Sequence, residues 1–431
     1  MRARAAAVCG VLVATALCGP ALCGCATLES GDDHLNPDKP LWFNRPNGAI
    51  HLLFRRGLTA STRTVGEPYE RGRGEIDPDH GRVFIGSSDH GLYALRAPDG
   101  STIWRFETLG AVQSDPLYDP ELDVVYFGSN DGALYAVHAS DGALVWRYDS
   151  GGEVARRPVR SGEALFFGNG ADNLFAVDRR SGKTLWRVHR SPALGMEVSG
   201  YAGPALDQGV VFFAFSDGHV GAYDARDGSE HWTPVDLSAE AEQSQAGEAL
   251  RYLDVDTTPV PDDLGGSSGR VVFVASYAGG VYALAQDHGA PLWKNDKAVG
   301  VTELVLWRER AHVALAGEPS YVAGGPPVPR REMLFASSGV TGLWALDPVT
   351  GHMLWRVPIP EGGITAPVPI AGALLVGTSR YGAFLLSPLD GRPIDGIDLG
   401  SGFSQAPAAY GNRAYLLTNA GTFLGLQVER P

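Results

Sequence analysis

Cysteine is almost missing: the 431-residue chain has four, Cys9, Cys18, Cys23 and Cys25, and none follows. The body of the protein therefore has no disulfide staple, no cysteine-based zinc site and no thiol nucleophile, and its fold must stand on a packed core. Basic residues are also scarce. The 35 Lys and Arg against 49 Asp and Glu leave a net charge of −14, which argues against nucleic-acid binding through a general basic surface. The eleven His form no H-E-x-x-H pair and no convincing metal spacing, and no linear catalytic constellation is legible. One long apolar run exists, Ala5 to Leu22, but Gly and Pro interrupt it and it is too short for a comfortable membrane span. Glycine, by contrast, is plentiful at 56 residues, and 44% hydrophobic content supplies a core with many tight turns.

The scarce cysteines belong to the N-terminus. A basic Met1-Arg-Ala-Arg4 start, the apolar run and then Leu22-Cys23-Gly24-Cys25 read as a cleaved export signal over residues 1–24. The tetrapeptide resembles a bacterial lipobox, which implies that Cys25 becomes the first mature residue and carries the acyl chains. Several buried chains anchor firmly, at about 0.8 kcal/mol per CH₂. Ala26 is not the Asp that resembles an inner-membrane retention signal, so the expected location is the periplasmic face of the outer membrane. The other reading is an ordinary secretory signal cut near Ala26, with Cys25 incidental.

Self-comparison outranks every local signal. The clearest unit, Val125 to Trp146, has two β-rich runs around Asn130-Asp131-Gly132, then a second turn at Asp141-Gly142 and a third run ending in Trp. The same grammar returns in Val83–Trp104, Leu165–Trp186, Val211–Trp232, Val272–Trp293 and Leu334–Trp355. A seventh copy ends in Asp395 where Trp is expected, and an eighth stops after two strands at Val428. Before most copies stands a proline, at Pro116, Pro158, Pro204, Pro259, Pro367 and Pro407. Proline cannot donate to a ladder, so it marks a fourth, edge strand lining a central channel. The prediction is a single all-β, eight-bladed propeller over residues 74–431, with residues 25–73 as anchored tether and closing strand. Pro40-Leu-Trp42-Phe-Asn carries the outer-strand pattern, so residues 40–45 are expected to complete the eighth blade. Surface insertions are expected near 236–256 and 308–331.

The recurring Trp reads as structural, each ring packing on the neighbouring blade's turn. Gly265-Gly-Ser267-Ser-Gly269 lacks the helix of a nucleophile elbow, and Ser181-Gly-Lys-Thr184 lacks the first glycine of a phosphate loop. Both read as turns.

The repeat, of the form V-Y-x-G-S-x-D-G-x-L-Y-A-L followed by G-x-x-x-W, resembles the quinoprotein-type propeller repeat. Some members of that family hold pyrroloquinoline quinone and Ca²⁺ and oxidise alcohols, and these place an adjacent cysteine pair beside the quinone, which this mature chain lacks. Leu250-Arg251-Tyr252-Leu253-Asp254-Val255-Asp256-Thr257-Thr258-Pro259 is similar to a segment of the BamB family of outer-membrane barrel-assembly lipoproteins. That resemblance implies a non-enzymatic scaffold without cofactor or metal, which binds the POTRA domains of BamA and other assembly-machine subunits and assists insertion of unfolded outer-membrane proteins. It assigns partner contact to Arg251, Leu253, Asp254 and Asp256, and to Met196, Val198 and Ser199 in the loop entering the fourth blade. Ser199 stands where the family has Arg. The residues alone leave two readings of Asp254 and Asp256. As an i, i+2 pair they share a face of an extended segment and meet a basic partner, or they brace the innermost strand by bonding backbone amides. A quinone-dependent dehydrogenase and a binding propeller for another envelope protein are the competing functions.

Overall fold

Each repeat folds as its turns dictate. In the second unit, the Asp131 carboxylate accepts from the Ala133 amide at 3.0 Å, and Gly132 takes φ 87°, which reverses the chain between Val124–Gly128 and Ala133–His138. A second turn at Gly142 leads to Leu144–Asp149 on the outside of the sheet. The short strand Leu117–Asp119 adds on the inner side.

The computed structural model describes residues 48–58, 70–191, 202–237, 255, 257–266, 269–309, 331–358, 363–380, 382–398 and 401–430. Among these are thirty-two strands, β1 to β32 in chain order, forming eight four-stranded antiparallel sheets. The all-β, eight-bladed reading of the sequence is borne out. Blades 1 to 7 span Gly74–Glu107, Leu117–Asp149, Val159–His189, Ala205–Asp236, Val260–Asn295, Val301–Val357 and Val368–Ile397, and blade 8 begins at Ala408. All six marked prolines stand immediately before an innermost strand, where a missing N–H costs no ladder bond. The Ser181–Thr184 tract is the turn between two outer strands of blade 3, and Gly265-Gly266 follow the innermost strand of blade 5.

The tryptophans form a relay around the ring. Trp104 donates its indole N–H to the Ala139 carbonyl of the next blade at 3.0 Å, and Trp146 to Arg179 at 3.0 Å. Trp186, Trp232, Trp293 and Trp355 repeat the bond to Ala225, Gln286, Pro348 and Pro388. Every ring also lies on a turn glycine. At Gly142, φ 75°, an added Cβ would meet the Trp104 ring at 2.8 Å, so glycine is demanded there both by backbone conformation and by the indole above it. The expected structural role of the repeated Trp is what the structure displays.

Closure uses the N-terminal side of the chain, as expected, but not the expected residues. Strand β1, Ile50–Gly57, pairs antiparallel with β32, Thr422–Val428, as the outermost strand of blade 8. Residues 40–45, named from Trp42, lie outside the described residues. Phe54, opposite Gly425, occupies the position that Trp146 holds opposite Ala136, and it covers Gly100 of blade 1 as Trp104 covers Gly142. Arg56 adds the missing donor, bonding the Asp99 carbonyl of that turn at 3.0 Å. A phenylalanine with a following arginine thus does the work of one indole. The signal was legible: Leu53-Phe54-Arg55 has the same aliphatic–aromatic–cation order as Val145-Trp146-Arg147.

Candidate partner-binding face

The propeller has two faces. On one, outer strands hand over to the next blade's innermost strand and the Asp-Gly hairpins turn. On the other lie the remaining turns. The first, called here the connector face, carries the chain attachments of both segments that the sequence singled out.

Met196, Val198, Ser199, Arg251, Leu253, Asp254 and Asp256 lie outside the described residues, as do Cys25 and most of both expected insertions. Their chain attachments are described, and these converge. Ala202, which follows the first segment, Leu237, which precedes the second, and Val255 within it are all buried in one core cluster. Trp232, Val272 and Tyr282 belong to the same cluster, which joins blades 4 and 5. The Tyr282 hydroxyl lies 3.5 Å from the Leu237 carbonyl. One direct bond links the two attachments: the Gly203 amide donates to the Thr258 hydroxyl at 2.9 Å.

Bracing in this segment comes from its threonines. The buried Thr257 hydroxyl accepts from the Ala275 amide at 2.8 Å and donates to the Ala275 carbonyl at 3.2 Å. Ser114 does the same to Gly128 two residues before its own proline, at 2.8 and 2.9 Å, and Thr365 accepts from Gly377 at 2.9 Å. A hydroxyl at this position ties the connector to the second strand of its blade where proline removes a backbone donor. Before the first segment, Arg190 closes on Asp217 at 2.7 Å, and the neighbouring Asp172 carboxylate is pushed up by burial although Ser216 bonds to it.

The hub holds a second group of charges that the sequence reading missed. Arg156 of blade 3 reaches across the axis to Glu303 of blade 6 at 2.6 Å. Arg157 grips Glu75 of blade 1 through two bonds of 2.7 Å and donates to the Pro116 carbonyl at 2.7 Å. Arg73 faces Asp115 at 3.8 Å, and burial raises the Asp115 pKa against the pull of Arg73 and Arg156. Above these pairs the connectors enclose a cavity of about 340 Å³. Nothing in the linear order of these residues marks them as neighbours, because only closure of the ring brings the connector before blade 3 within reach of the innermost strands of blades 1 and 6. Among the described residues, no group of three or more His, Cys, Asp or Glu could hold a metal ion.

Comparison with known proteins agrees with this geometry. The sequence signature of the family described as outer membrane protein assembly factor BamB matches residues 121–318, 304–394 and 345–430. A protein of that name from Legionella pneumophila is 25% identical over 242 residues, 56% of this chain and 54% of the relative. Another from Yersinia pestis is 26% identical, over 81% of this chain and 70% of the relative. A tetrathionate hydrolase from Acidithiobacillus ferrooxidans is 22% identical over 76% of this chain and 54% of its own length. The chain thus spans about half the length of the first two of these relatives named, those from Legionella and Acidithiobacillus. Among solved structures, BamB from Moraxella catarrhalis superposes with a TM-score of 0.64 at 19% identity, covering 88% of this chain and 99% of that one. A europium-containing methanol dehydrogenase also reaches 0.64, at 12% identity over 89% of this chain and 94% of its own. At such identities the superpositions speak for the fold alone.

Proposed function

Since the chain belongs to the family of outer membrane protein assembly factor BamB, we propose that it is a non-enzymatic scaffold of the barrel-assembly machinery. In this reading Cys25 carries the lipid that holds the protein at the periplasmic face of the outer membrane. The connector face of blades 3 to 5 docks the POTRA domains of a BamA-like partner, and the assembly assists insertion of outer-membrane proteins. A rigid ring suits such work because it holds loops at fixed places while the loops do the binding.

The observation that carries the proposal is the Gly203–Thr258 bond within the shared blade 4–5 core. Two segments that the family resemblance assigns to one partner, far apart in the sequence, are attached side by side on one face. In this reading Asp254 and Asp256 present negative charge to a basic partner surface, Met196 and Val198 add apolar contact, and Arg251 and Leu253 flank the acids. Thr257 ties this segment to Ala275 and Thr258 ties it to Gly203.

The test is charge reversal, Asp254→Lys with Asp256→Lys, in cells expressing the full lipidated chain. Loss of BamA co-purification at an unchanged melting temperature is expected. Full retention would overturn the interface, and palmitate labelling that persists in Cys25→Ala would overturn the anchor.

The dehydrogenase reading draws on the repeat pattern and on fold likeness. The adjacent cysteine pair of that chemistry is missing from the mature sequence, and the hub is crossed by Arg156–Glu303.

A further inference from the structure

The axial cavity on the connector face differs in character from the rest of this acidic protein. Arg71, Arg73 and Arg156 line it, and Glu303 is the one acid among its described lining residues. Arg156 is committed to Glu303 at 2.6 Å, and Arg73 meets Asp115 only at 3.8 Å. Arg71 is exposed and forms no ion pair with another described residue. Counting Asp115 against Arg73, one positive charge among the described residues is left over at the mouth, held on the connector that leads into blade 1. Phe403, Ile364 and Ala406, all buried, border the same space from the connectors into blades 7 and 8, among the polar Thr365, Ser379, Ser404 and Gln405.

Arg156–Glu303 spans the hub and lines the cavity, and Arg157–Glu75 joins the connector before blade 3 to the innermost strand of blade 1. A volume of about 340 Å³ is near the low end of ligand sites, which run from about 300 to 1,000 Å³. It admits a chain end and not a folded element or a loop with its two strands. Guanidinium groups beside these apolar side chains match a carboxylate that carries an apolar side chain.

We infer that this cavity is a binding site for the C-terminus of a polypeptide, with the terminal carboxylate held by Arg71 and Arg73 and an apolar last side chain against Phe403 and Ile364. The site is separate from the blade 3–5 attachments and does not depend on the assembly role. It is therefore tested on the purified chain with no assembly partner present.

The probe is a fluorescent heptapeptide ending in an apolar residue with a free carboxylate, compared by polarisation with its C-terminally amidated twin. Saturable binding of the free acid, at least about tenfold tighter than the amide, is expected. Arg71→Gln with Arg73→Gln should erase that preference at an unchanged melting temperature, whereas Arg392→Gln on the other face should not. If the double variant melts early, Arg71→Gln alone, on an exposed residue, reads the same effect. Equal binding of the twin, no saturable binding, or an unaltered preference in the Arg71 variant would overturn the site. Displacement of the peptide by acetate as readily as by the unlabelled peptide would also overturn it, marking a general anion site only.

Discussion

The Asp395 carboxylate accepts hydrogen bonds from the amides of Ala49 and Ile50, at 2.7 and 3.0 Å. Asp395 faces Leu385 in blade 7, the register position that Trp355 holds opposite Ala345 in blade 6. An indole there would need a turn in the next blade to cover. Blade 8 has none, because its last two strands come from opposite ends of the chain. A buried carboxylate at that position instead takes hold of the incoming strand, and this departure from the repeat marks the seam of the ring.

Replacing Asp395 by Ala removes both bonds and leaves two buried amides. Bonds to a charged acceptor contribute about 1.5–3 kcal/mol each, so a loss of about 3 kcal/mol in denaturant unfolding is expected, with faster proteolysis near Gly57. A midpoint equal to that of the natural chain would refute the clamp.

Truncation separates the closing strand from what precedes it. Removing residues 26–47 should leave the melting temperature within a few degrees, while removing 26–57 strips β1 and exposes the β32 edge. A large drop from the shorter truncation would show that residues before Gly48 hold the ring.

Gly142 and Gly151 both have positive φ, 75° and 81°, but only Gly142 lies beneath an indole; an added Cβ at Gly151 meets nothing within 4 Å. Gly142→Ala should therefore cost more than Gly151→Ala, by about 1 kcal/mol or more. In a Trp104→Ala background the difference should vanish. A difference that persists there would mean the indole is not its cause.

Breaking the hub pair by Glu303→Gln leaves Arg156 without its acid. The pair is mostly but not fully shielded, at 18% and 26% side-chain exposure, so a cost of about 1–3 kcal/mol is expected, below that of a fully buried pair. Joint replacement by Arg156→Met and Glu303→Leu should recover most of it. A double variant no better than the single one would contradict this account of the hub.

Tyr93 is buried, bonds the Asp89 carboxylate and has its pKa pushed up to about 12, chiefly by burial. A phenol whose folded pKa lies above its ordinary 10.0 contributes stability that is whole below pH 10 and is lost as pH rises toward 12. Tyr93→Phe should accordingly unfold less steeply than the natural chain between pH 10 and 12. Parallel stability curves across that range would show that Tyr93 ionises as it does in the unfolded chain.

What the sequence determined was whatever repeats. An Asp-Gly turn, a proline before six of the inner strands and a Trp on six of the outer ones recur because the blades solve the same local problem, so Pro116 and Trp146 could be read without neighbours. The family-like segment around Thr257-Thr258-Pro259 was legible for the same reason. Tertiary structure alone decided where the circle joins and what meets across its axis. Phe54 could be recognised as a tryptophan's substitute only once its register against Gly425 was known, and residues 147 positions apart, Arg156 and Glu303, met only through closure. Local propensity acts over a few residues, whereas hub and seam are set by the angle at which eight sheets pack, and no short stretch of chain records that angle.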